Sequence, residues 1–464
     1  MKRVVLLVSA LLLACSLCHA EAWKFVSMAD SRGSDNGVNT SALSQIVTLV
    51  NAENPDLVIF QGDNVNGYTS AENLRSQLQT WKAVMADLNC PYYACPGNHD
   101  VQDESHETVW QEEFDFPLNG PPGEEECVFS FDHKNAHFIL LNSSQPGMSH
   151  RIQQSWLEDD LAAAGSYHTF VGAHEPAYPG CSHIGSSLDA YPTDRDIFWQ
   201  TLVDWGVGAY FAGHEHFYHR STHDGVVQSI NGTCGAPIVC GSFYHFMVVE
   251  VDGAQVSARC IDVNGVQRDS WSYTDGEMTF SPPTRFETGW NLMSLPLMPP
   301  EAAVEDALND VAAVNNLTNA MYAYSESLPG YQIYPGQFTQ MEGGARARGY
   351  WLYLTTAPVT ETLVGKATGG RAEFPLAVGW NLIGYPHTTE IAWSSCKVRN
   401  STGLELSIAG AVWSDWIQEA IFTYSGGSYV TVMRTSGDDT YVRPWYGYWL
   451  LVFEPDLTLV IPKP

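Results

Sequence analysis

At 464 residues the chain is too long for one ordinary core, so two or three domains are expected. Its formal net charge is −30, and so acidic a surface repels nucleic acid and anionic membrane, which excludes polyanion binding as a function class. A small phosphate ester stays admissible, because bound cations dominate the local field of a metal site.

The first twenty residues read as an export signal. Lys2 and Arg3 form the basic region, Val4 to Leu13 the apolar stretch, and Cys18-His19-Ala20 the cleavage site. Secretion or a periplasmic location follows. The apolar run is too short to span a bilayer and no second long one appears, so no transmembrane segment is expected. Leu12-Leu13-Ala14-Cys15 also fits a lipoprotein box, a reading disfavoured because the first strand begins so soon after Cys15. Among the cysteines beyond the signal, Cys90 with Cys95 and Cys234 with Cys240 are the candidate disulfides by proximity in sequence.

From Trp23 to about Asp275, short apolar runs alternate with helix-like stretches, which predicts an α/β layered sandwich. The run WKFVSMA leads into Asp30-Ser31-Arg32, and a helix follows over Ser41–Ala52 with Ser41 as its cap. LVIFQ leads into Gly62-Asp63-Asn64, then a helix over Glu72–Leu88. YYACP leads into Gly97-Asn98-His99-Asp100. Further helices are expected over Arg151–Ala163 and Asp194–Trp205. HTFV leads into Ala173-His174-Glu175, and AYFA into Gly213-His214-Glu215-His216. Two β runs around Asp252-Gly253 predict a closing hairpin.

Beyond a Pro-containing break at Phe280–Arg285, Gly289-Trp290-Asn291-Leu292 recurs as Gly379-Trp380-Asn381-Leu382. Gly349-Tyr350-Trp351-Leu352 recurs as Gly447-Tyr448-Trp449-Leu450. Alternating aromatic and β-branched residues with Gly and Pro turns predict two small all-β modules. The expected divisions are a signal at 1–20, the α/β unit at 21–278, a linker at 279–285, and modules at 286–368 and 369–464. The rings are expected to fill the module cores; an aromatic surface for cell-surface glycan is the sharper alternative.

In a parallel sheet the carboxyl ends of the strands line one crevice, where the side chains that follow them converge. Two carboxylates, one amide oxygen and three imidazoles gathered there make an oxygen/nitrogen cage for two divalent ions. Asp63 is placed to bridge. Asp30 and His216 hold the first ion, and Asn98, His174 and His214 the second. His214 and His216, two apart on an extended segment, project the same way. Paired ions suit phosphoester hydrolysis through a metal-bound hydroxide. His99 is the candidate general acid, oriented by Asp100.

The segments GDN, GNHD, AHEP and GHEH, in this order and spacing, resemble the motifs of the calcineurin-like metallophosphoesterases over about Lys24 to Asp275. That resemblance implies a four-layered α/β/β/α sandwich and a dinuclear centre of iron, manganese or zinc. It also implies the six ligand roles just named. The C-terminal modules are similar to GWNL-type repeats appended to exported bacterial proteins. One position departs from the pattern: the family's first motif usually reads Asp-x-His, and this chain has Arg32. A guanidinium has no lone pair and cannot coordinate a metal. Either the first ion binds more weakly, Arg32 clamps the substrate phosphate, or the site is inactive. Retained activity is preferred, because the other cage residues and His99 are all present. The purple acid phosphatase subgroup fits poorly, since its metal-binding Tyr follows the GD motif closely and Tyr68 lies five residues after Asp63.

Other histidines are expected to pack or to face solvent: His106, His133, His137, His168, His219 and His223; for His183 a surface loop is favoured over the alternative of the pocket rim. Asn64, Tyr68, Glu175 and Arg195 lie near the motifs and either shape the pocket or pack. The H-E-x-x-H pattern of a zinc protease fails, because position 218 is Tyr. We therefore read the chain as an exported metal-dependent hydrolase of phosphomonoesters or phosphodiesters. The alternative class is a surface-binding or adhesion protein whose phosphoesterase-like domain has lapsed, with Arg32 as the mark of that loss.

Overall fold

The computed structural model describes residues 22–276, 278–281, 286–300, 302–325 and 330–464. The expected signal at 1–20 lies outside them, as do residues 282–285 of the expected linker. In chain order the N-terminal unit begins with β1 (Trp23–Met28), β2 (Arg32–Asp35), α1 (Thr40–Glu53), β3 (Leu57–Gln61), α2 (Ala71–Met85) and β4 (Tyr92–Cys95). It continues with α3 (Glu104–Glu113), β5 (Phe129–His133), β6 (Ala136–Leu140), α4 (Gln154–Ala163), β7 (His168–Gly172) and α5 (Pro192–Asp204). It ends with β8 (Ala209–Ala212), β9 (Tyr218–His223), β10 (Val226–Asn231), β11 (His245–Asp252), β12 (Gln255–Asp262) and β13 (Gln267–Thr274). The hairpin expected around Asp252-Gly253 is β11–β12.

Helix starts follow local chemistry. The α1 cap is Asn39 rather than Ser41: the Asn39 side chain accepts from the Ala42 amide. The sequence reading missed α3 because its surface is mostly polar, with only His106, Val109 and Trp110 buried. Its signal was the Asp103 cap, which accepts from the Ser105 and His106 amides ahead of Glu104 and Glu107.

Two six-stranded sheets form, in the orders β13-β12-β11-β1-β3-β4 and β5-β6-β7-β8-β10-β9. Their centres are parallel: β1 with β3, β3 with β4, β6 with β7, and β7 with β8. Period-two alternation decides the layering. Phe138, Phe170 and Phe211 pack with Phe25 between the sheets, in one core with residues of α1 and α2. Their neighbours Ile139, Val171 and Tyr210 point the other way, onto Leu157, Leu161, Phe198 and Trp199 of α4 and α5. The result is the expected α/β/β/α sandwich.

The C-terminal part is built from small antiparallel sheets. One runs Gly289–Met293, Tyr350–Leu354, Met321–Ser325, Gly330–Ile333; another, in the same spatial order, runs Gly379–Ile383, Tyr448–Val452, Ile421–Ser425, Ser428–Val432. The Asn of each GWNL segment clamps the turn before it. Asn291 Nδ2 donates to the Glu287 and Gly289 carbonyls, and Asn381 Nδ2 to those of Ala377 and Gly379. Contrary to expectation, the rings do not simply fill the module cores. Trp290 and Trp380 are 43% and 42% exposed, and Trp351 and Trp449 pack with Leu292 and Leu382 in a separate cluster between the sheets. A side chain on the outer face of a strand finds its cover on the neighbouring sheet. Met278–Phe280, partly within the expected linker, pairs with Leu363–Gly365. Lys366 Nζ ties the C-terminal part to the sandwich, donating to the Tyr167 and Gly206 carbonyls at 3.2 and 2.7 Å.

Candidate metal centre

Five of the candidate ligands follow strands with parallel neighbours: Asp30 after β1, Asp63 after β3, Asn98 after β4, His174 after β7 and His214 after β8. Backbone geometry re-aims them there. Asp30, Asp63 and His214 hold φ of 60°, 50° and 68°, a left-handed conformation that is costly for a residue with a Cβ and concentrates at functional sites. His214 and His216 therefore lie on a bend, not on the extended segment expected. Gly62 and Gly97 meet back to back. A Cβ on Gly62 would fall 2.7 Å from Gly97 Cα, and one on Gly97 only 2.4 Å from the Asp63 amide. Glycine at both positions lets the two loops approach.

The structure brings Asp63, Asn98, His174 and His214 together. His174 Nδ1 faces the Gln61 carbonyl at 2.8 Å, and His214 Nε2 the Ser186 carbonyl at 3.0 Å. Assigning each ring N–H to its carbonyl leaves a lone pair on His174 Nε2 and another on His214 Nδ1. Those two atoms are 3.1 Å apart. His174 Nε2 is also 3.1 Å from Asn98 Oδ1 and 3.2 Å from Asp63 Oδ1. The Asn98 amide nitrogen lies 3.1 Å from the Tyr68 hydroxyl, which turns its oxygen toward His174. Four acceptors cannot satisfy one another; a cation among them can. Ligand atoms about 2.1 Å from one ion lie about 3.0–3.4 Å apart, so the donor set fits a metal ion.

Charge is crowded at this cluster. Burial would raise the Asp63 carboxyl, but His174, His99 and Arg32 hold it below its ordinary value. Burial would lower His174, yet the Asp63 and Asp30 carboxylates pull it up. Burial beside His174 and His183 pushes His214 far down.

The other half of the cage differs. Asp30, Asp63 and His216 each offer an atom within 4.8 Å of the others, and all three are buried. His216 Nδ1 faces the Pro237 carbonyl at 2.9 Å, which leaves its Nε2 lone pair toward the crevice, 3.4 Å from Asp30 Oδ1. Arg32 Nη2 lies 3.0 Å from that same Nε2, and Arg32 Nε lies 3.5 Å from Asp63 Oδ2. Asp30 Oδ1 is buried without a hydrogen-bond partner.

His99 lines the crevice, with Nε2 3.9 Å from Asp63 Oδ2 and its ring edge-on to Tyr68. Burial lowers its pKa. Asp100 does not orient it, contrary to expectation. The Asp100 carboxylate accepts from the Asn64, Val65 and Gly97 amides, fixing the GD and GN loops to each other. The Asn66 carbonyl, 2.7 Å from His99 Nδ1, sets that ring instead. His183 belongs to the rim rather than to a remote surface loop, its ring 4.1 Å from that of His214. Two features hold it there. The buried Glu215 carboxylate accepts from the Gly180, Cys181 and His183 amides, and a disulfide joins Cys181 to Cys240.

That disulfide replaces both expected pairs. Cys90, Cys95 and Cys234 are free, and the latter two are buried in the core between strands. Glu175 reaches His150, both oxygens within 3.0 Å of Nδ1. Arg195 stacks on Tyr178 and packs there.

Residues 34–218 match the family model "Calcineurin-like phosphoesterase". Among similar proteins, purple acid phosphatase 23 of Arabidopsis thaliana is 24% identical over 41% of this chain and 42% of its own length. Tartrate-resistant acid phosphatase type 5 of Rattus norvegicus is 27% identical over 48% of this chain and 75% of its own. The chain thus spans less than half of the first relative and three quarters of the second. A purple acid phosphatase structure from yellow lupin is 17% identical, covers 55% of this chain and 54% of its own, and superposes with a TM-score of 0.45. The similar proteins come from the subgroup that the Asp63–Tyr68 spacing argued against. A loop with positive φ at Gly67 and Tyr68 brings the Tyr68 hydroxyl back to Asn98 despite the longer spacing. With the motif loops converging on one donor cluster and a family match across them, residues 34–218 form a calcineurin-like phosphoesterase domain.

Proposed function

We propose that the chain is an exported, metal-dependent hydrolase of small phosphate esters. The observation that carries this reading is the meeting of His174 Nε2 with His214 Nδ1, Asn98 Oδ1 and Asp63 Oδ1 at 3.1–3.2 Å. When bound, a metal ion supplies Lewis-acid activation of a phosphoryl oxygen and lowers the pKa of water. The chain's own residues do the rest. Asp63 lies between the two halves of the cage and shares its carboxylate with both. Asn98 adds an oxygen without adding charge. Because Asn66 holds the Nδ1 side of His99, Nε2 is the atom that presents a proton to a leaving oxygen, and burial shifts that role toward acid solution. The Cys181–Cys240 disulfide supports export, since such bonds persist in oxidising compartments. Among the described residues no helix is long and apolar enough to cross a membrane.

The test is hydrolysis of an aryl phosphate together with bound-metal analysis of Asp63→Ala and His174→Ala. Each is expected to lose metal and more than about a thousandfold in turnover. Turnover persisting in either variant would sink the reading, and a natural chain with neither turnover nor bound metal would favour the lapsed-enzyme alternative.

A further inference from the structure

We infer that Arg32 is the resident cation of the first half of the cage, so that this chain holds one metal ion, in the half built by Asp63, Asn98, His174 and His214. The inference deepens the proposed function and rests on it. The two halves pose the same physical problem, acceptor atoms turned toward one another inside the protein, and meet it differently. In the His174 half no side chain among the described residues donates into the cluster: both imidazoles spend their N–H groups on carbonyls. In the Asp30 half the His216 lone pair faces Arg32 Nη2 at 3.0 Å, and the same guanidinium stands 3.5 Å from Asp63 Oδ2. Arg32 therefore spans two of the three donors that an ion there would need.

A guanidinium stays protonated at any working pH. An ion seated among Asp30, Asp63 and His216 would have to take the His216 lone pair from Arg32 and sit beside its fixed positive charge. Three further observations keep Arg32 in place. It begins a short strand, Arg32–Asp35, and is bridged to Val38. The adjacent Ser31 amide is held by the Asp63 carbonyl at 3.0 Å. Its side chain is only 20% exposed. The substrate phosphate would thus meet an ion on one side and guanidinium N–H groups on the other, a pairing arginine geometry suits.

Metal content of the full chain decides the matter. The protein is stripped with a chelator, reloaded separately with Mn2+ and with Zn2+, freed of excess metal and analysed for ions per chain. About one ion is expected in the natural chain and in His216→Ala, none in His174→Ala, and about two in Arg32→His, with Arg32→Lys staying at about one. Arg32→Ala serves if Arg32→His fails to fold, and its expected gain is a weaker second ion. Two tightly held ions in the natural chain, or loss of the ion in His216→Ala, overturns the Arg32 assignment while leaving the hydrolase reading intact. No ion at all overturns both.

Discussion

The crevice of the sandwich and the aromatic junction between the C-terminal sheets are both packed, but their side chains are satisfied differently. In the junction each ring finds its partner in another ring. Trp351 meets Tyr424 of the other sheet at 5.2 Å and 65°, and Trp449 meets Tyr324 reciprocally at 5.0 Å and 74°. Edge-to-face contacts of this kind are favourable without any further component. In the crevice, acceptors converge that cannot satisfy one another, on backbone held at positive φ. Such an arrangement calls for a cation, and on that need rests our proposal that the crevice, not the ring-lined clefts, is the reactive site. A third cluster serves as an internal control. His137 is buried between Asp132 and Asp160, at 2.7 and 2.8 Å, and needs nothing from outside.

The sharpest way to break the comparison is to remove a junction ring. Trp351→Ala is expected to cost about 3–5 kcal/mol of stability while aryl phosphate turnover per folded molecule stays within about twofold. A parallel collapse of turnover would mean that the junction and the crevice are one functional unit. The next effect comes from the control cluster. Burial would lower the His137 pKa, but hydrogen bonds to Asp132 and Asp160 raise it to about 9. Because the folded pKa lies above the unfolded value, its contribution of about 3 kcal/mol is complete below about pH 6.5 and fades as pH rises through 9. Melting temperature is therefore expected to fall from pH 7 to 9.5, and to fall less in His137→Gln; equal slopes would refute the charged cluster. The smallest effect belongs to the tie between the two parts. Lys366→Ala should cost about 1–3 kcal/mol by leaving the Tyr167 and Gly206 carbonyls without this donor, and no change in unfolding would show the tie to be weak.

Much of the sandwich was legible in the chain. Period-two and helical spacings located β1, β3, β7 and β8 and the helices α1, α2, α4 and α5, with ends shifted by a few residues. The GD, GN and GH segments stood out because a strand end, a glycine and a metal-binding side chain fall together locally. The polar helix α3 escaped because its buried stripe is only three residues wide. The rim position of His183 was only the weaker alternative because what brings it there, Glu215 and the Cys181–Cys240 bond, acts across 32 and 59 positions.

By itself the sequence determined which side chains could serve a metal and that two GWNL segments would form like strands, since both depend on neighbours a few residues away. Only the tertiary structure decided which acceptors face each other, that Asp100 holds amides instead of the His99 ring, which cysteines pair, and where the Arg32 guanidinium comes to rest. Those outcomes hang on the meeting of loops from different strands, where a difference of an ångström separates a ligand from a spectator and no local spacing records it.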